Sequence, residues 1–362
     1  MKVSVFAGAA QPAEVPGFAR WAEDAGFDAV TSSEVDHDPF LPLALAAQAT
    51  SRVGLATGIA VAFARTPMAM AYVANDLQAL SRGRLVLGLG TQTKPHITRR
   101  FGMPWGKPAT QMREYLTALR AIWDDWNTGR QLQHQGEYYR HTLMTATFRP
   151  APHAHGSPPV HLAAVGPLMT RLAGEAADGL IPHGFSTERY FREVTVPALE
   201  EGLERAGRDR SEVTVHCPGF VQVIGPQDDV EQQRQVLRAR IAFYGSTPAY
   251  RGVLALHGWE ELHERLHALS VRPEADRWDR MADLVDDEVV DAFCVSGRLG
   301  EVAAELVRRF GGLVDQVHLQ PPAGTPEQEL RAALALLHGA GTAAAPDPPA
   351  APARAGTAGA RR

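Results

Sequence analysis

The sequence predicts an α/β fold, a closed (β/α)8 barrel, with an open doubly wound sheet as the second choice. Three observations lead there. Short β-rich runs alternate with longer helical patterns, and eight strand–helix alternations are counted with no long run of one type. Such alternation implies parallel strands joined by helical crossovers, and eight of them suffice to close a barrel. Hydrophobic residues make up 45% and charged residues 21% of the chain, the composition of a globular protein with a large core rather than a collagen-like, coiled-coil or wholly disordered one. The 362 residues would allow two domains at roughly 150 residues each, but single barrels exceed that ratio.

Each element has its own signal. A strand over 3–9 precedes a helix whose apolar positions Val15, Phe18, Ala19 and Ala22 fall at helical spacing. Gly26 ends it, where left-handed geometry is wanted. Strands follow over 27–33 and 52–63, and then a helix marked by Met70, Val73, Leu77 and Leu80 with Pro67 at its start. The fourth strand spans 83–90. The helix from about 109 to 127 carries Met112, Leu116, Leu119, Ile122, Trp123 and Trp126 on one face. A hairpin-like stretch and a proline-rich link over about 128–158 form an insertion after strand 4. Alternation resumes with strands at 159–164 and 178–184, a helix at 188–206 and a long β-rich run at 212–225. Helical pieces over about 228–285 form a second insertion, after strand 7. A strand-like run at 291–297, a helix carrying Val302, Leu306, Val307 and Phe310, a strand at 313–320 and a helix at 326–338 complete a single barrel domain, 1–340. Residues 341–362 are rich in alanine, proline and glycine and are expected to be a disordered tail.

Charge and cysteine usage narrow the function. A formal charge of −5 offers no basic field to draw nucleic acid or anionic lipid. Cys217 and Cys294 are too few and too far apart for a disulfide framework, which fits a reducing cytosol. The apolar run near the start is broken by Gln11 and Pro12, too short for a membrane span and without a cleavage site. A cytoplasmic protein with a small-molecule partner, and no nucleic-acid or membrane partner, is expected.

Two motifs are weak. GLGTQT (88–93) opens like a dinucleotide fingerprint, but Thr93 stands where the third glycine belongs and a loop follows instead of a helix. HERLH (263–267) would place His263 and His267 on one helix face with Glu264 beside them, the pattern of a zinc hydrolase. No third ligand is evident, and Trp259, Leu262, Leu266 and Leu269 already account for a buried stripe. A stronger signal comes from the strand C-termini, where barrels carry their chemistry. Glu34, Asp36 and His37 gather there, with a Gly166–Pro167 turn opening a helix whose free amides suit a phosphate, and with Lys94, Arg99 and Arg100 at the same rim.

The segments EVDHDPFLPLALAAQAT (34–50), TGIAVAFARTPMAMA (57–71), DLQALSRGRLVLGLGTQ (76–92), RRFGMPW (99–105) and PVHLAAVGPLMTRLAGEAADGL (159–180) together resemble the luciferase-like monooxygenase superfamily, in its coenzyme F420-dependent oxidoreductase branch. The resemblance implies a TIM-like barrel with a deazaflavin or flavin at its C-terminal mouth, working as a homodimer. It implies that backbone around Ala164, Val165, Gly166, Pro167, Leu168 and Met169 holds the cofactor's tail phosphate. It also implies that a bulged third strand with a cis non-proline bond, matched here by Gly58–Ile59, supports the ring. Thr91 and Gln92 would contact cofactor or substrate. Many relatives follow the acid at the end of strand 2 directly with histidine. Here Val35 follows Glu34, and the nearest histidine is His37, so proton handling is expected of His37 with Glu34. The reaction expected is hydride transfer between F420 and a small organic substrate. The alternatives are an FMN-dependent monooxygenase of the same fold, a catalytically inactive binding homologue and the zinc hydrolase of His263, Glu264 and His267. Pocket walls are expected from the 94–105 loop and the 246–285 region, which holds Tyr250, Leu254, Trp259 and Trp278, with Tyr244 just before it.

Overall fold

Eight parallel strands stand side by side around one axis in the computed structural model, which describes residues 1–7 and 11–340. The staves are β1 (Lys2–Phe6), β2 (Ala29–Ser32), β3 (Gly54–Thr57), β4 (Leu85–Gly90), β5 (Val160–Ala164), β6 (Gly179–Pro182), β7 (Thr214–Val215) and β8 (Gln316–His318), paired in that order. β8 returns to β1 in the register Lys2↔Gln316, Val3↔Val317, Ser4↔His318. The ring closes between β7 and β8 through one parallel bridge, His216↔Gln316. This is the closed barrel, not the open sheet. The tail expected over 341–362 lies outside the described residues, as do the last residues expected of strand 1.

Helices α1 (Val15–Ala25), α2 (Phe40–Ala49), α3 (Pro67–Leu80), α4 (Pro108–Thr128), α5 (Pro167–Ala176), α6 (Val196–Ala206), α7 (Leu299–Phe310) and α8 (Glu327–Gly339) surround the staves. Local chemistry sets their ends. Gly26, at φ 96, closes α1 by donating its N–H to Ala22 O. The Thr66 hydroxyl accepts from Ala69 N–H and Pro67 opens α3 without wasting a donor. α2 carries no sequence signal of its own. FLPLALAAQA is apolar nearly all round, so no period appears, and it packs between α1 and α3.

The nine β-rich runs of the sequence make only eight staves. The run over 212–225 breaks at Pro218 and at Gly219, whose φ is 83. Its first part is β7, while Phe220–Val223 leaves the barrel and pairs in parallel with Cys294–Gly297 as a separate two-stranded sheet. Residues 291–293, read as the start of a strand, are instead the last turn of the helix Asp287–Phe293. Between these two outer strands, five α-helices fold around a second hydrophobic cluster that includes Leu237, Ile241, Leu254, Leu266 and Phe293. The first insertion holds a short antiparallel hairpin, His134–Gln135 against Arg140–His141. Among the described residues no helix is long and apolar enough to cross a membrane.

Candidate active site at the barrel mouth

Beyond Thr57 the chain bends through a cis Gly58–Ile59 bond, as the resemblance implied. The bend is pinned on both sides. Gly58 N–H donates to Ser32 O at 2.8 Å, Ser33 Oγ donates to Gly58 O at 2.5 Å, and Glu34 N–H donates to Ile59 O at 3.1 Å. The glycines of GLGTQT make room for this bend. A side chain at Gly88 would collide with the Thr57 carbonyl, and one at Gly90 would press on the Ile59 side chain. The GxG pair is therefore a packing device. After β4 comes no nucleotide-binding helix but a loop leading to one π-type turn, His96–Arg100.

The bend floors a cavity of about 350 Å³, walled by Thr91 and Gln92 beyond β4, Ala163 to Val165 at the end of β5, Pro182 to Gly184 at the end of β6, and Tyr250. That is within the usual range of small-molecule sites, about 300–1,000 Å³. Gln92 sits in the left-handed region at φ 59, uncommon for a residue with a side chain. Its Oε1 accepts from Thr93 N–H at 2.9 Å, while Thr91 Oγ1 donates to Gln92 O at 3.0 Å. Gly58, Ile59, Thr91, Gln92, Ala164 and Val165 are thus brought to one cavity. Gly166, Pro167, Leu168 and Met169 continue from Val165 as the start of α5. No side chain caps that helix end, and a Cβ on Gly166 would meet nothing within 4 Å. An uncapped helix start with open space over its glycine suits an anionic group, and the adjoining cavity suits a flat ring. Lys94 and Arg99 are exposed on the neighbouring loop, whereas Arg100 donates to Val35 O at 2.6 Å.

The two residues expected to handle protons lie differently. Glu34 is engaged within the protein. Its carboxylate accepts from Val61 N–H at 2.7 Å and from Arg65 Nη1 at 2.8 and 2.6 Å, and the same guanidinium reaches Asp38 at 2.9 Å. This clasp ties the loop after β2 to the turn after the cis bond, a positioning role. His37 is exposed, with Asp36 at 3.8 Å as its ionic neighbour, and does not line the cavity.

A pair outside that expectation does line it. His183, just past β6, accepts at Nδ1 from Phe185 N–H at 2.9 Å. Its neutral ring therefore carries hydrogen on Nε2, which donates to the Tyr250 oxygen at 3.2 Å. Burial lowers His183 to about 4 and pushes the Tyr250 phenol up to about 12. The pair is neutral across the physiological range, and Tyr250 keeps an O–H to offer the cavity. The aromatic composition of 246–285 pointed toward Tyr250, but no spacing links it to a histidine 67 positions earlier.

HERLH lies in the helix Glu260–Ser270, and its imidazoles cap a neighbouring helix end. Nδ1 of His263 donates to Gly245 O at 2.7 Å and Nδ1 of His267 to Ser246 O at 3.0 Å. Among the described residues no group of three or more His, Cys, Asp or Glu stands together as a metal site. Both cysteines are free.

Comparison with known proteins agrees with this architecture. An uncharacterized protein of Mycobacterium tuberculosis is 51% identical over 292 residues, covering 81% of this chain and 85% of that one. The 5,10-methylenetetrahydromethanopterin reductase of Archaeoglobus fulgidus is 27% identical over 322 residues, covering 87% and 92%. The solved coenzyme F420-dependent tetrahydromethanopterin reductase of Methanopyrus kandleri superposes with a TM-score of 0.73 at 22% identity, covering 93% and 96%. Residues 1–316 match the luciferase-like monooxygenase family, and the chain belongs to it.

Proposed function

We propose that the protein is an F420-dependent oxidoreductase acting on a small organic substrate. The observation that carries this reading is the pairing of one cavity of about 350 Å³, which has Gly58 and Gly90 in its lining, with an uncapped helix start beside it. The F420-dependent relatives support it. When bound, the deazaflavin supplies or accepts the hydride. The chain's own residues would do the rest. The Gly58–Ile59 bend, fixed by Glu34 and Arg65, would carry the ring, and the backbone from Val165 to Met169 would receive the tail phosphate. Tyr250, held by His183, would aim an O–H at oxygen on the substrate as charge develops there. His37 would reach the site only by rearrangement of its exposed loop.

Titration of the purified chain with F420 and, separately, with FMN tests the assignment, read by quenching of cofactor fluorescence. Saturable F420 binding at micromolar concentration or tighter is expected. FMN binding without F420 binding would move the protein to the flavin monooxygenase reading, and binding of neither would leave an inactive binding homologue.

A further inference from the structure

The barrel's interior is not filled in the usual way. In such barrels, layers of bulky branched side chains from alternate staves pack the axis. Here a second cavity, of about 310 Å³, lies on the axis and adjoins the mouth at Gly58 and Ile181. Every stave, or the residue next to it, contributes a wall, yet among the lining residues only Val86 and Ile181 are branched aliphatics. Small hydroxyl residues and three histidines, His161, His216 and His318, take the places where bulk is expected.

The hydrogen-bonding capacity of this space is concentrated on the imidazoles. Ser4 Oγ donates to Val317 O at 3.2 Å, Thr31 Oγ1 to Val5 O at 3.3 Å and Thr57 Oγ1 to Gly88 O at 2.7 Å, so these hydroxyl protons are spent on the staves. His161 Nδ1 and His216 Nε2 share one proton at 2.8 Å. Whichever nitrogen carries it, the other two nitrogens of the pair are left as one donor and one acceptor. The His318 ring makes no hydrogen bond among the described residues and adds another donor and acceptor. Burial lowers His161 to about 4 and His216 to about 3. No Lys, Arg, Asp or Glu lines the cavity, so an ionised ligand group would be desolvated there without a counter-charge.

We infer that this lumen is a binding site for the uncharged hydroxyl or carbonyl end of an organic substrate, held by His161, His216 and His318. A hydroxyl is both donor and acceptor and matches either tautomer of the histidine pair; a carbonyl takes the donor alone. A phosphorylated or carboxylated end finds no fixed counter-charge among the lining residues. That the ligand is the substrate of the mouth rests on the oxidoreductase reading, while the site itself does not.

The test uses the cofactor-free full chain with isotopically labelled histidine, its ring resonances assigned by single His→Gln variants. Cyclohexanol, cyclohexanone and cyclohexanecarboxylate are the probes, and F420 is titrated alongside. Expected are saturable shifts of the His161, His216 and His318 rings with the alcohol and ketone, and none with the carboxylate. Ala56→Leu, which fills the lumen from β3, should weaken cyclohexanone binding at least tenfold while F420 affinity changes less than threefold. Silent histidines with the neutral probes, or carboxylate binding as tight as the alcohol, overturn the inference. F420 binding with silent histidines sinks the lumen site and spares the cofactor reading; responsive histidines without F420 binding do the reverse.

Discussion

The barrel and the excursion between its seventh and eighth staves are built from different materials. The barrel core is mainly aliphatic around its staves, with Leu85, Leu87, Leu89, Val160 and Leu162 in one cluster with alanines and leucines of the surrounding helices. The excursion's core is aromatic at its junction with the barrel. Phe185 stacks on Phe293 at 4.4 Å, and Tyr244 and Tyr250 press on His183 and Phe185. The aliphatic part sets a backbone shape, a bend and a cradle. The aromatic part delivers one polar atom, the Tyr250 oxygen, to that shape. The segment after β6 belongs to both, since His183 and Gly184 line the mouth while Phe185 is buried in the excursion's core.

If the division holds, damage to one part should spare the other's task. The largest effect is expected for Phe293→Ala, which empties the centre of the aromatic junction at a cost of about 3–5 kcal/mol. Chemical denaturation should record that loss while F420 titration still finds a site; a loss below about 1 kcal/mol would mean the junction is not a core. Next is Tyr250→Phe, which keeps the ring and removes the O–H. Single-turnover change in the deazaflavin band with a carbonyl substrate should slow about 10²-fold, with F420 affinity within threefold of the parent. An unchanged rate would return proton handling to another group. The smallest effect belongs to the cradle. Gly166→Leu places a Cβ that meets nothing within 4 Å, on backbone any residue can adopt, since φ is −112. The melting temperature should stay within about 2 °C, because surface changes of this kind are nearly neutral. F420 affinity should fall about tenfold or more, and equal affinity would place the phosphate elsewhere.

The barrel was legible because its signal is local. Strand runs and amphipathic helices show their period within a dozen residues, and Gly26, Pro67 and Gly166 punctuate them where the structure turns. α2 was silent because its exposed positions include the apolar Leu41, so apolar residues run round the helix and no period appears. The strand at Cys294–Gly297 was legible as a strand but not as an outsider, since its partner is set by a break 75 residues earlier, at Gly219. The site divided the same way. Thr91–Gln92 follow from their place at the end of a stave, whereas the cis bend and the Ala164–Val165 stretch come only from the resemblance to a family. The engagement of Glu34 by Arg65, 31 positions on, and the His183–Tyr250 pair depend on which loops meet above the barrel. Chain order does not specify those meetings.

Gln92 holds a backbone conformation that glycine would take at no cost, and it uses its side chain to bind the next amide, Thr93 N–H. The end of β4 is therefore locked for two residues past the strand. The part of the mouth wall that Thr91 and Gln92 form is thereby set by the strand end itself and not by the 93–105 loop beyond it.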